Sequence, residues 1–397
     1  MSASTERLVV DLLDPNLYQS NPHDVWTWMR ANEPVYRDEK NGLWGLTRHA
    51  DVMDVERRSS VFSSKGVYRA NISMDEKNMI AQDDPRHRQQ RMLVQPQLTR
   101  SAVAERTQEI ETLVAELISE AVDKGEFEVV EMLAAQLPAR LTSRLMGFPE
   151  EMWTQLKSWS ERLMRTDMRE RDEKTLLELI QANQEFVGAM IPIMGEVKSC
   201  PRDDFMSIWV NSEIDGEGLP PEAIVHEVGL FIAGGAETTR TAISHGLREF
   251  CRHPDQWEML ANDPSLVDSA VEDVLRWVSP LNNMFRMALT DDEVGGQPVK
   301  AGDRFVMLYP SANRDESVFA DPFTFDIRRS HNPHLSFGFG THLCVGANLA
   351  RLVLTTMFRE LSQKATCLEV VTEPDVEANI FARAVKSFTM RVTPRPV

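Results

Sequence analysis

The chain has 397 residues, 42% of them hydrophobic and 26% charged, and a formal charge of −18. That length suits a large globular domain or two medium ones, and the acidic balance argues against a general nucleic-acid or anionic-membrane surface. Four cysteines, Cys200, Cys251, Cys344 and Cys367, form no CxxC pair; this argues against a disulfide framework or a structural zinc site and fits a reducing, cytoplasmic compartment.

The N-terminal stretch "MSASTERLVVDLLDPNLYQSNPHDVWTWMR" lacks a basic start followed by an apolar core, so no signal peptide is expected. No run approaches the ~18–20 apolar residues of a membrane span. Early β-like material reads "GLWGLTR". A helix is expected over "SAVAERTQEIETLVAELISEAVDKG", stopping at Gly125. "KTLLELIQANQEFVGAMIPIMGEV" predicts a second long helix, with an interruption near Pro192. A third lies in "LPPEAIVHEVGLFIAGGAETTRTAISHGLREFCRHP", with Pro221 in its first turn and Pro254 beyond its end. "SLVDSAVEDVLRWVSP" predicts a fourth. Strands are expected in "MFRMALTDDEVGGQPVKAGDRFVMLYP", with tight turns at Gly295-Gly296 and Ala301-Gly302, and in "KSFTMRVTP". No repeat, linker or composition shift divides the chain. The expectation is a mainly α fold with small β-sheets, as one domain over residues 1–397.

The stretch "HLSFGFGTHLCVGANLARL" sets Cys344 in a glycine-rich loop just before a predicted helix. A free cysteine is commonly a small buried hydrophobe. As a metal ligand it must be a thiolate, and a helix starting just after it would turn positive dipole and unpaired N–H groups toward the sulfur. Gly338, Gly340 and Gly346 would let the loop fold tightly and approach a flat partner. One thiolate without companion ligands suits haem, whose porphyrin supplies four nitrogens, better than zinc. "FGFGTHLCVG" matches the cytochrome P450 signature Phe-x-x-Gly-x-(His/Arg)-x-Cys-x-Gly at Phe337, Gly340, His342, Cys344 and Gly346. The chain resembles a bacterial member of that haem-thiolate family over nearly all its length. The resemblance implies the family fold, with haem b between a long bent helix and the cysteine loop and Cys344 as the iron ligand. It also implies a monooxygenase that uses O2.

In "GLFIAGGAETTRTAI", two adjacent glycines inside a helix cost about 1 kcal/mol each relative to alanine. Gly234 and Gly235 would clear room for haem and dioxygen. The resemblance makes Glu237 the acid and Thr238 the oxygen-facing alcohol of a proton relay. A threonine also bends helices without catalysis, and a helical glutamate is commonly solvated surface.

Haem propionates need cationic partners. His87 and Arg91 in "DDPRHRQQR" share a helix face at four-residue spacing. By resemblance they stand beside the propionates with Arg286, and His342 is a fourth candidate. One departure from the family's Glu-x-x-Arg is visible. The matching positions are Asp273 and Arg276, Glu272 falls one position early, and Thr324 in "ADPFTFDIRR" stands where many relatives carry a basic residue. A smaller or rearranged network is therefore expected, with Asp273→Glu tolerated or stabilising.

The mid-helix "AGGAE" does not follow a strand, so it is no dinucleotide fingerprint, and no reductase module is fused. The resemblance implies electrons from NAD(P)H through a ferredoxin reductase and a ferredoxin, with Arg88, Arg91 and Arg351 offering local positive charge for docking. The expected substrate-pocket residues are Val67, Ile72, Met74, Met79 and Ile80; Leu230 and Ala233; Asn283, Met284 and Phe285; and Ile380 with Phe381. This mostly apolar, methionine-rich set suits a lipophilic small molecule. "WMRANEPVYRD", "AGGAETTR", "RWVSPLNNMFR" and "HLSFGFGTHLC" look like actinobacterial relatives that oxidise sterol side chains. The alternatives are a biosynthetic oxidase of a carrier-bound or secondary-metabolite substrate, and a haem-binding sensor. The acid–alcohol pair argues against the sensor.

Overall fold

The computed structural model describes residues 7–164 and 173–396. The N-terminal stretch begins with residues 1–6, which lie outside the described residues. Helices dominate, and a five-stranded sheet, a three-stranded sheet and two two-stranded hairpins accompany them among the described residues.

The expected helix after residue 100 is divided into Arg100–Ala104 and Thr107–Lys124. The longer one stops where expected: Gly125 takes φ 70°, and its N–H donates to the Ala121 and Val122 carbonyls. Pro192 does not end its helix, which runs unbroken from Glu173 to Ser199. The glycine-containing helix is continuous only in outline. Pro221–Ile232 passes into a π-turn at Ala233–Glu237 and resumes as Thr238–Arg252. The expected bend thus takes the form of one wide turn, a defect associated with functional sites.

The first sheet orders its strands as Val35–Asp38, Leu43–Leu46, Arg304–Leu308, Asn283–Ala288 and Phe62–Ser63. All its pairings are antiparallel except that of Arg304–Leu308 with Leu43–Leu46, where Phe305 lies opposite Trp44. Gly295 and Gly296, at φ 55° and 81°, turn the expected hairpin between Asp292–Val294 and Gln297–Val299. The second sheet pairs Ala365–Val376 with Val385–Pro394, which also pairs with Glu126–Glu128.

The largest core lies where helices Thr107–Lys124, Thr238–Arg252, Val267–Val278 and Ala347–Lys364 meet the second sheet. Phe250 and Phe358 are fully buried there, with ring centroids 5.3 Å apart; burying each side chain contributes roughly 2–3 kcal/mol. Gly246 permits this packing, because a Cβ there would stand 2.9 Å from both Phe358 and Val274.

Helix Val267–Val278 carries the departure from Glu-x-x-Arg. Asp273 is fully buried, and its Oδ1 accepts from Arg276 Nε at 2.6 Å, Arg329 Nε at 3.0 Å and Asn332 Nδ2 at 3.3 Å. Its Oδ2 accepts from the Asp326 N–H at 2.7 Å. The network is rearranged, not smaller. Arg329 brings the second cation that Thr324 does not, and Thr324 contributes its carbonyl to both Arg276 and Arg329. This geometry reverses the expectation for Asp273→Glu. Both oxygens are used and the side chain is fully buried, so an added methylene must displace these partners or overpack the site. We expect a loss of about 1–3 kcal/mol, measured by denaturant unfolding of the haem-loaded protein; a gain in stability would contradict the packing argument.

Candidate active site

Glycines set the shape of loop 334–346. Gly338 and Gly340 both take φ 68°, and a Cβ on Gly340 would come within 2.5 Å of the Glu56 carbonyl oxygen. The Cys344 N–H donates to the Phe337 carbonyl at 2.9 Å, and helix Ala347–Lys364 begins three residues on. Cys344 is accessible although it lies deep in the protein, because its open face is the wall of an interior cavity. Burial pushes its thiol up, against the Gly346 N–H and the charges of Arg91 and Arg351. A metal at the sulfur displaces such a proton outright.

The opposite wall is the π-turn. Gly234, Gly235 and Thr238 line the cavity. A Cβ on Gly234 would meet nothing within 4 Å, whereas one on Gly235 would press to 3.0 Å from Thr142 Oγ1. Thr238 Oγ1 donates to the Gly234 carbonyl at 2.6 Å, inside the π-turn. Glu237 is placed differently from Thr238. It is buried and absent from the cavity wall, with its Oε2 3.3 Å from Arg240 Nη1. Arg240 also meets Glu161 at 2.6 Å, and Lys157 reaches Glu161 at 3.6 Å. Burial raises the Glu237 carboxyl, with Arg240 opposing. The acid and the alcohol therefore belong to two adjoining environments.

One edge of the cavity collects cations. His87, Arg91, Arg286 and His342 all line it. The two imidazoles lie with ring centroids 4.1 Å apart. Burial holds His342 well below its ordinary value, helped by the charges of Arg286, His87 and Arg91. Burial likewise lowers His87, although Asp84 opposes it. Arg286 comes from strand Asn283–Ala288, and its Nη2 stands 3.5 Å from Glu56 Oε1. Such a cluster repels itself and suits a buried dianion. The described residues hold no group of three His, Cys, Asp or Glu side chains that would bind a bare metal ion. A single sulfur, an opposite wall opened by two glycines and a cationic edge fit haem.

Of the expected substrate contacts, Met79, Ile80, Leu230, Met284 and Phe381 line this cavity. The others stand elsewhere. Strand alternation turns Met284 and Arg286 toward the cavity and Asn283 and Phe285 away from it. Phe285 and Ile380 are core, and Asn283 donates to the Ile380 carbonyl at 2.9 Å. Val67 is buried outside the lining, and Met74 is 58% exposed. Ile72 and Ala233 line a second, more polar cavity that shares Tyr68, Arg69 and Leu230 with the first.

Thr142, Leu145, Met146 and Met164 also belong to the lining, although each reads as ordinary core in the sequence. Nothing in the sequence singles out Glu227. Glu227 Oε1 accepts from the Met79 N–H at 2.9 Å and Gln90 Nε2 at 3.0 Å, which ties the loop before His87 to the π-turn helix. Burial pushes that carboxyl up to about 8. Among the docking cations suggested by sequence, Arg351 is engaged by Glu272 at 2.6 Å and Arg91 faces the cavity.

A cysteine loop and a π-bulged helix facing each other across an interior cavity, with cations along one edge, define a haem-thiolate oxygenase. The chain belongs to the cytochrome P450 family, whose sequence model matches residues 46–375, and it is a monooxygenase of that family. It is 37% identical to the steroid C26-monooxygenase of Mycobacterium tuberculosis H37Rv, over 99% of each chain. It is 31% identical to the linalool 8-monooxygenase of Pseudomonas putida, over 97% of this chain and 99% of that one. A solved cytochrome P450 of Mycobacterium marinum in complex with pseudoionone superposes with a TM-score of 0.90 at 29% identity, covering 98% of this chain and all of that one. Family membership brings haem iron, O2 and a lipophilic substrate. No helix among the described residues is long and apolar enough to cross a membrane.

Proposed function

We propose that residues 1–397 form one haem-thiolate domain that hydroxylates a steroid, with the sterol side chain as the preferred target. The carrying observation is the apolar cavity closed by Cys344 on one side and Gly234 and Thr238 on the other. The steroid C26-monooxygenase likeness over the full chain supports the choice of substrate. Electrons come from NAD(P)H through a ferredoxin reductase and a ferredoxin, and the protein works in the cytoplasm.

Cys344 would hold the iron, and Arg91, Arg286, His87 and His342 would hold the propionates. Bound haem supplies the centre at which dioxygen is activated. The remaining work belongs to this chain. Met79, Ile80, Leu230, Met284 and Phe381 exclude water and orient the substrate. Thr238 holds an exchangeable proton at Oγ1 on the cavity wall. Glu237 replenishes it, and Arg240, Glu161 and Lys157 connect Glu237 toward the exterior, where Glu161 is 30% exposed.

The test is optical titration of the purified ferric protein with cholest-4-en-3-one, a fatty acid and a small terpene. A substrate that displaces water from the iron moves the Soret band toward high spin. A saturating shift with the steroid alone is the expected result. A shift only with the terpene, or with none of them, would overturn the steroid assignment.

A further inference from the structure

The cavity edge that holds the cations also holds one acid. Glu56 lies in the last turn of the helix His49–Arg57, and no local motif marks it. Its side chain is buried and lines the cavity together with Arg286, His87, Arg91 and His342. Glu56 Oε1 accepts from Tyr309 Oη at 2.7 Å and faces Arg286 Nη2 at 3.5 Å. Glu56 Oε2 is buried and has no hydrogen-bond partner among the described residues. The helix is fixed in place, because the Glu56 carbonyl packs against the loop at Gly340.

With haem bound as proposed above, three carboxyl groups meet here: Glu56 and the two propionates. Facing them are two permanent cations, Arg91 and Arg286. Before haem enters, burial and those same arginines hold the imidazoles of His87 and His342 toward neutrality, with Asp84 opposing at His87, so neither is a permanent cation. Tyr309 is neutral and donates its hydroxyl hydrogen. On the helix of Glu56, Arg57 is occupied over the Phe339 ring, 5.4 Å from its centroid. Arg69 lines the cavity as well and lies over the Phe381 ring. An excess negative charge out of water is relieved most cheaply by a proton. Burial already pushes the Glu56 carboxyl up to about 7, against Arg286, Tyr309 and the Phe339 N–H.

We propose that Glu56 is the proton-exchanging partner of the haem propionates, so that the site takes up one proton from solvent as the iron gains one electron. The inference rests on the haem-thiolate reading. The electron comes from a one-electron donor of the ferredoxin class and reduces Fe(III) to Fe(II). The proton converts one carboxylate of the Glu56–propionate group to a carboxylic acid, so the net charge of the site is unchanged. Reduction adds negative charge near Glu56 and tightens its hold on the proton. The sign follows: reduction becomes harder as pH rises through the range where Glu56 ionises.

The test is spectroelectrochemical titration of the haem-loaded, substrate-free protein between about pH 6 and about pH 9, the range around the raised carboxyl. The natural protein is expected to show a midpoint potential that falls with pH, approaching about 59 mV per tenfold change in proton activity. Glu56→Gln, with its thiolate-type spectrum intact, is expected to show no slope. A slope retained in Glu56→Gln, or absent from the natural protein, would overturn the inference. If Glu56→Gln does not retain haem, Tyr309→Phe decides. Loss of its hydroxyl hydrogen bond disfavours the ionised carboxylate, so the sloping region must move to higher pH, and an unmoved region overturns the inference. Failure of the natural protein to bind haem with a thiolate-type spectrum would overturn the haem-thiolate reading itself.

Discussion

Cys344→Ser is expected to give a folded protein whose reduced carbonmonoxy spectrum lacks the red-shifted band of thiolate ligation and whose monooxygenase turnover falls to background. The substitution is nearly isosteric, and the Cys344 N–H keeps its bond to the Phe337 carbonyl. The glycine conformations that set the loop are untouched. What changes is the donor: a hydroxyl keeps its proton at neutral pH and is a poor electron donor to iron. Absorption spectroscopy of haem-loaded protein checks the ligation, and circular dichroism checks the fold. A thiolate-type band surviving in the variant would place the ligand elsewhere. The three other cysteines offer no ready substitute, since Cys200, Cys251 and Cys367 do not line the cavity.

Thr238→Ala is expected to separate binding from product formation. The methyl side chain occupies no new space, so the spin shift on substrate addition is retained. The hydroxyl proton on the cavity wall is lost, and general-acid contributions are worth on the order of 10²–10⁴-fold. Hydroxylated product per NADH consumed should fall steeply, with hydrogen peroxide in its place. Product, NADH and peroxide measured in the same reaction decide the matter. Full coupling in the variant would show that Thr238 only shapes the helix, through its bond to the Gly234 carbonyl.

The parts legible in sequence are those with short-range logic. Gly125 ends its helix, Gly295-Gly296 turn a hairpin, and the fixed spacing around Cys344 marks a loop that only glycine can fold. His87 and Arg91 reach one cavity because four residues make about one turn of helix. The hidden parts depend on what the chain brings together from afar. Nothing around Glu56 announces that Tyr309 and Arg286 will enclose it. Arg329 could not be told from the adjacent Arg328 before the fold showed which of them reaches Asp273. Phe285 departs from its expected place for a local reason, since the register of its strand sends Met284 and Arg286 to the cavity and Phe285 to the core. Glu237 illustrates a third limit. Its sequence position next to Thr238 is plain, but consecutive helical residues point about 100° apart, so which of the two faces the cavity appears only in the fold.

The pairing of strands Leu43–Leu46 and Arg304–Leu308 imposes an order on biosynthesis. The first of these leaves the ribosome long before its parallel neighbour exists, and at about 5–20 residues per second the interval is on the order of 10–50 s. During that time the hairpin of Val35–Asp38 and Leu43–Leu46 has an open edge, the kind of edge that chaperones shield and that aggregates recruit. His87 and Arg91 wait in the same way for Arg286 and His342. The haem clamp is therefore complete only after nearly the whole polypeptide has been made, and cofactor loading becomes a late, post-translational step. Expression in cells short of haem should thus accumulate full-length apoprotein rather than truncated intermediates.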